Sequence, residues 1–347
     1  MENSFFILSK QNIEISRFHI CTWDIEDTDP FIEIGVEFDF PNELKEIDFK
    51  LVIPSIKTNT NPVCLSQNLI SNTENCKFIF NDNVKKFDYI NNDKRNGGVV
   101  TFETRGSLTI YPIKPELSDR VVSFKIKREN LNILSTSYIR LKIEPQSLSI
   151  IKNGIANTTR IFDYKLNEKR NLPDNVYDIV KDSYYLCTVK SCFCLHVIPN
   201  SYIISFVDQI KLKNIRELEA LPFKNYLPYE LKNMKEGKYM ILFCKEKDSD
   251  AYSFFTIFTK ERIGTQQILL AIGANILCSL LFGFASLNAN INGSNNIWEA
   301  VPLGYWIALI IIFILIIILF VPIRWNKNIL KIFELLSETL SKSIFKI

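Results

Sequence analysis

Two long apolar runs near the C-terminus constrain this chain more than any other feature. They are Ile263 to Leu287 and Leu303 to Ile323, separated by a short polar interval. Neither run carries a charge. Each is close to the ~20 apolar residues that a helix needs to cross a ~30 Å hydrocarbon core. A helix buried in a soluble core would show a recurrent polar stripe, and Ile307 to Val321 shows none. The runs predict a transmembrane helical hairpin, 263–287 and 303–323.

The flanking charges orient it. Lys245, Lys247, Lys260 and Arg262 precede the first run, and Arg324, Lys327 and Lys331 follow the second. The interval Asn288 to Pro302 has no Lys or Arg, only Glu299. The positive-inside bias therefore puts both flanks in the cytosol. Trp298, Tyr305, Trp306 and Trp325 sit where interfacial aromatic anchors belong. Met1 to Lys10 has no basic n-region, only a four-residue apolar run and no small-residue cleavage site, so it does not read as a secretory signal. The expected arrangement is a multi-pass membrane protein with both termini cytoplasmic. The eight cysteines are then expected as reduced thiols.

Residues 1–150 read as a cytosolic β-rich domain. Phe31 to Phe40 alternates with period two, placing Ile32, Ile34, Val36 and Phe38 on one face and Glu33, Glu37 and Asp39 on the other. Further runs at 13–20, 47–53, 77–80, 99–102, 107–113, 121–126 and 138–143 are separated by turn signals. Together they predict a mainly β fold, an antiparallel sandwich or barrel. Lys57 to Glu74 reads as a long loop. The turn-rich stretch from Pro145 to Asp174 marks a boundary, and 151–260 reads as a smaller α+β segment. Its expected strands are 184–189, 191–206, 238–243 and 252–258, with a helix over 207–221. Residues 325–347 read as an amphipathic helix with Ile329, Ile332, Phe333, Leu336, Leu340 and Ile344 on one stripe. It would lie on the membrane, on partner helices or on the chain's own soluble part.

Two constellations stand out. In Tyr185-Leu-Cys-Thr-Val-Lys-Ser-Cys-Phe-Cys-Leu-His196, a hairpin turning at Lys190-Ser191 would bring Cys187, Cys192, Cys194 and His196 to one face. Three thiols and an imidazole match a structural zinc set in kind, though not in spacing. The other reading is a buried sheet face. In the first apolar run, Ala271, Asn275, Ser279 and Gly283 recur every four residues and would form a small, polar ridge on a helix. Such a ridge packs helices closely, either in a homo-oligomer or against the second run.

Catalysis has little support. There are two histidines, and no Gly-rich phosphate loop, Gly-x-Ser-x-Gly elbow or His-Glu-x-x-His motif. The expectation is a non-enzyme with no cofactor beyond that zinc. A net charge of +3, from 41 basic and 38 acidic residues, argues against direct sequence-specific nucleic-acid binding. The whole organisation, a cytosolic strand-rich part feeding two C-terminal spans, resembles the membrane effectors of bacterial anti-phage systems, retron-associated two-transmembrane effectors among them. The resemblance is one of architecture and assigns no residue a role. It implies a soluble part that senses a trigger or is restrained by a regulatory protein or nucleoprotein partner. On release the spans disrupt the lipid bilayer in abortive infection. A membrane-anchored scaffold or adaptor is the alternative reading.

Overall fold

The computed structural model describes residues 4–26, 28–128, 136–154, 156–181, 184–232 and 234–262, together with 267, 271–279, 282, 283, 306 and 310. Among these, nine strands form one sheet and eleven form another. The first sheet runs, in spatial order, Ile203–Val207, Tyr252–Glu261, Asn157–Leu166, Ser4–Ser9, Glu46–Val52, Val121–Lys127 and Glu116–Ser118, with Ile150–Asn153 also pairing Asn157–Leu166 and Tyr185–Leu186 also pairing Ser4–Ser9. The second runs Leu212–Glu217, Tyr239–Lys247, Ser191–Pro199, Glu14–Trp23, Phe31–Asp39, Thr136–Ile143, Ser107–Ile110, Gly98–Phe102 and Val84–Tyr89, with Thr188–Val189 also pairing Glu14–Trp23 and Val63–Cys64 also pairing Thr136–Ile143.

Alternation builds the interior. Ile32, Ile34, Val36 and Phe38 enter a core shared with Phe5 and Ile7 of the first sheet. A second core covers the outer face of the eleven-stranded sheet. There the helices Ser66–Ser71, Thr73–Phe80 and Ala220–Tyr226 bring Leu69, Cys76 and Tyr226 against Trp23, Phe31 and Leu108. A small third core packs Val176 of the Asp174–Lys181 helix over Phe6, Leu8 and Val52.

The mainly β expectation holds, but the sheets are mixed rather than antiparallel. Ser4–Ser9 pairs parallel with Asn157–Leu166, and Ser191–Pro199 pairs parallel with Glu14–Trp23. Both parallel pairs join strands remote in sequence, as parallel neighbours must. They also override the boundary drawn at residue 150. Each sheet takes strands from both sides of it, and Met1–Lys260 is one compact unit, with Glu261–Ile347 as a second.

Three local expectations are corrected. Residues 77–80 belong to the Thr73–Phe80 helix, not a strand. The Asn72 side chain accepts from the Glu74 amide at 3.1 Å at its start, and Asn81 closes it in the left-handed region with φ 51°. The supposed loop 57–74 holds the Val63–Cys64 strand and the Ser66–Ser71 helix. The helix expected over 207–221 is instead the edge strand Leu212–Glu217, bulged at Lys213 against Tyr239–Lys247. An Asx turn at Asp208 launches it, with the Ile210 amide donating to Asp208 Oδ1 at 3.0 Å.

In the C-terminal unit, residues 271–279, 282 and 283 are helical. No helix among the described residues is long and apolar enough to cross a membrane. Most of 263–287 and 303–323, and all of 325–347, lie outside the described residues.

Candidate ligand-binding cleft

The Cys187 to His196 stretch does not form a hairpin. Thr188–Val189 pairs parallel with Glu14–Ile15, and Ser191–Pro199 continues in the same direction along Phe18–Trp23. The Lys190 amide donates to the Ile15 carbonyl at 2.8 Å across the junction. Running straight on satisfies more backbone groups than folding back would, because Glu14–Trp23 offers an open edge throughout. Cys194 therefore lies opposite Cys244, not Cys187.

Cys192, Cys194 and His196 alternate and are all buried. His196 Nδ1 is 2.9 Å from Thr22 Oγ1, and its Nε2 is 3.5 Å from Cys194 Sγ. Rings of Phe162, Tyr164 and Phe258 surround it. Burial lowers its imidazole to about 3 and raises the Cys187 thiol to about 12, with Cys192 and Cys194 pushed up well above the ordinary thiol range. These are protonated thiols beside a neutral ring. Among the described residues, no group of three or more His, Cys, Asp or Glu side chains is arranged to hold a metal ion.

The ridge residues Ala271, Asn275 and Ser279 lie in one helical stretch, and Gly283 is helical as well. All four are exposed, as are Ile272, Ile276, Leu277 and Phe282. Ser279 Oγ donates to the Asn275 carbonyl at 2.9 Å, which satisfies the hydroxyl within the helix.

The most developed site was not singled out by the sequence. On the outer face of the eleven-stranded sheet, a cleft of about 390 Å³ opens between the sheet and its helical cover. Its floor follows from strand register. Arg17, His19, Cys21 and Trp23 alternate on one strand, with His19 beside Phe193 and Cys21 beside Leu195 on the next. Phe193 pairs in turn with Lys245, and Leu195 with Phe243. Asn214 and Arg216 lie opposite Phe243 and Ile241 at the sheet edge. Phe78, Phe80 and Phe223 from the covering helices complete the walls.

Behind the cleft lies a buried charge network. Glu33 and Glu37, on what read as a polar face, are 0% and 5% exposed. Each survives there by pairing. Arg140 Nε donates to Glu33 Oε2 at 2.7 Å, and its Nη1 donates to the Tyr138 hydroxyl at 3.0 Å. Arg105 Nη2 donates to Glu37 Oε2 at 2.6 Å, while Arg17 Nε lies 3.6 Å from the other oxygen. Arg105 also lies over the Phe80 ring, its guanidinium carbon 4.7 Å from the centroid.

Positive charge dominates the local field. Burial, then Arg140, Arg17, Arg105 and Lys245, hold the His19 imidazole well below its ordinary range. Burial, with Lys247, Arg17 and Lys213, lowers Lys245. Burial also raises the Cys21 thiol, which is therefore protonated at neutral pH. A neutral imidazole, a protonated thiol and several fixed cations form a set suited to holding an anion. No protein-family model matches the chain, and no curated protein is significantly similar to it.

Proposed function

We propose that this chain is a membrane-anchored effector of a bacterial anti-phage, abortive-infection system. The unit Met1–Lys260 is its sensor, and the two apolar runs are the hairpin that disrupts the inner membrane. In this reading the chain acts by binding rather than catalysis. It works as a homo-oligomer when active and answers to a ligand or regulatory partner from the cytoplasm.

The observation that supports this reading is the route of the chain. Tyr239–Lys247 forms part of the cleft floor. A short turn then leads into Tyr252–Glu261, and the first apolar run begins at Ile263. The turn is tied down at several points. The Asp248 amide donates to the Lys190 carbonyl at 2.8 Å, and the Tyr252 hydroxyl donates to the Val189 carbonyl at 2.6 Å. In this reading a change at the cleft floor is passed along the chain, through the pinned turn and Tyr252–Glu261, toward the apolar run that follows.

The test is inducible expression in bacteria with a membrane-potential dye. Wild type should depolarise the cell, and Asn275→Leu should abolish or delay it. If the potential stays intact under every trigger tried, the reading fails. If an unrelated hairpin replaces 263–323 and function is retained, the chain is a membrane-anchored scaffold or adaptor instead.

A further inference from the structure

We infer that the cleft on the outer face of the eleven-stranded sheet binds a mononucleotide-class ligand, with its phosphate on Arg216 and Lys213 and its flat ring against the Phe193 and Phe243 pair. This deepens the sensor reading, on which it rests, by naming the ligand's chemistry.

Charge carries the first part. Five basic side chains and no carboxylate line the cleft; Arg17, Arg105 and Arg140 are paired with the buried Glu37 and Glu33, so Lys213 and Arg216 supply the uncommitted charge. The carboxylates behind it are committed, Glu33 to Arg140 and Glu37 to Arg105 and Arg17. Lys213, Arg216 and Lys245 have no carboxylate partner among the described residues. Lys213 Nζ donates only to the Ile210 carbonyl, at 3.3 Å, and Lys245 Nζ sits 4.6 Å above the Phe193 ring. Arg216 also borders a neighbouring cleft that carries Asp82, Glu103 and Glu219, so the excess of positive charge belongs to one side of it. A larger groove elsewhere, about 670 Å³, mixes Asp48 and Glu116 with its lysines and has no such excess.

The ring surface carries the second part. Phe193 and Phe243 lie 5.7 Å apart with planes only 4° from parallel, and both are half-buried. They form an offset-stacked aromatic pair beside the cations. Phosphate next to a stacking surface is the pairing that single nucleotides require. Among the described residues the buried Trp23 indole N–H has no hydrogen-bond partner, and Trp23 lines the same cleft. Size carries the third part. The cleft falls within the ~300–1,000 Å³ of small-molecule sites. A polymer would need a long basic stripe, which a net charge of +3 does not supply.

The test is calorimetric titration of the purified full chain in detergent at about 0.15 M salt. The probes are the four ribonucleoside monophosphates and triphosphates, the cyclic monophosphates, the free nucleosides, inorganic pyrophosphate and a short single-stranded oligonucleotide. At least one nucleotide should bind with Kd of about 100 µM or tighter, and about tenfold or more tighter than both its nucleoside and pyrophosphate. Arg216→Glu and Lys213→Glu, both at exposed positions, should each weaken it by about tenfold or more without lowering Tm appreciably. Pyrophosphate binding as tightly as every nucleotide would leave only an anion site and overturn the proposal. So would an oligonucleotide that outcompetes all single nucleotides, no binding tighter than about 1 mM, or unchanged binding by Arg216→Glu. These constants are measured without a membrane. Their failure leaves the Asn275→Leu depolarisation result standing, and a failed depolarisation leaves them standing.

Discussion

The hydroxyl of Tyr138 occupies the space that a Cβ on Gly35 would take, at the centre of the sheet behind the cleft. Gly35 is a strand glycine kept for close approach rather than for its backbone angles. Its bare backbone lets the Tyr138 hydroxyl accept from Arg140 and lie 3.4 Å from His19 Nδ1. The hydroxyl thereby links the buried charge network to the cleft floor.

Gly35→Ala should therefore destabilise the fold by about 1–3 kcal/mol, the usual range for overpacking. Tyr138→Phe in the Gly35→Ala background should cost much less than the two single changes added together, because removing the hydroxyl frees the space. Urea midpoints of the four proteins measure this. Simple additivity would contradict the steric account.

The Glu33 and Arg140 pair gives a second prediction. Both are essentially buried, and among the described residues Glu33 Oε1 has no hydrogen-bond partner of its own. Burial raises the Glu33 carboxyl, against the pull of Arg140. Removing one partner by Glu33→Leu or Arg140→Met should cost about 3–5 kcal/mol, since it strands the other charge. The double variant should recover a large part of that loss. A double-mutant cycle on thermal unfolding decides it, and two losses that simply sum would show that the pair is not coupled.

The histidines set a pH dependence with a defined sign. The native His196 imidazole is lowered to about 3 by burial, and His19 is lowered too. An unfolded histidine protonates near 6.5, so below that pH the unfolded chain binds more protons than the native one. Stability is complete above about pH 6.5 and falls as the pH drops toward the native pKa, by up to about 1.4 kcal/mol per pH unit per histidine. His196→Gln should flatten that slope by about one histidine's share. An unchanged slope in unfolding midpoints between about pH 7.5 and pH 5 would show that His196 is not the buried neutral group described.

Thiol reactivity tests the cysteine face. Six of the eight cysteines are buried, while Cys64 and Cys278 are partly exposed. A water-soluble disulfide reagent should label Cys64 first and the six buried cysteines only on unfolding; Cys278 lies within the proposed span, where lipid or detergent shields it. Rapid labelling of Cys192 or Cys194 in the folded protein would contradict their placement in the core.

Much of the fold was legible wherever one local period decides the outcome. The alternation of Ile32, Ile34, Val36 and Phe38 placed a strand and its inner face correctly. The same pattern could not tell that Glu33 and Glu37 would be roofed over, because their partners lie far off in the sequence, Arg140 on another strand and Arg105 in the bend before Ser107–Ile110. Cys187 to His196 suggested a hairpin because a local turn was the only pairing visible, whereas the actual partner is Glu14–Trp23. Asn157–Leu166 sits inside the first sheet although its surroundings are rich in turn residues. The cleft was illegible for the same reason. Arg17, Arg105, Phe193, Arg216 and Phe243, far apart in the sequence, meet only after the strands of the eleven-stranded sheet have assembled.

The most direct test of the central claim, that occupancy of this cleft controls the apolar segment, is dye release from vesicles. The full chain is reconstituted into phosphatidylethanolamine and phosphatidylglycerol vesicles loaded with a self-quenched dye. The tightest-binding nucleotide is then added to wild type, Arg216→Glu and Asn275→Leu. The account predicts nucleotide-dependent release by wild type, none by Arg216→Glu at the same concentration, and none by Asn275→Leu although it still binds nucleotide. Nucleotide bound by wild type without any change in release, or release that Asn275→Leu leaves unaltered, would contradict it.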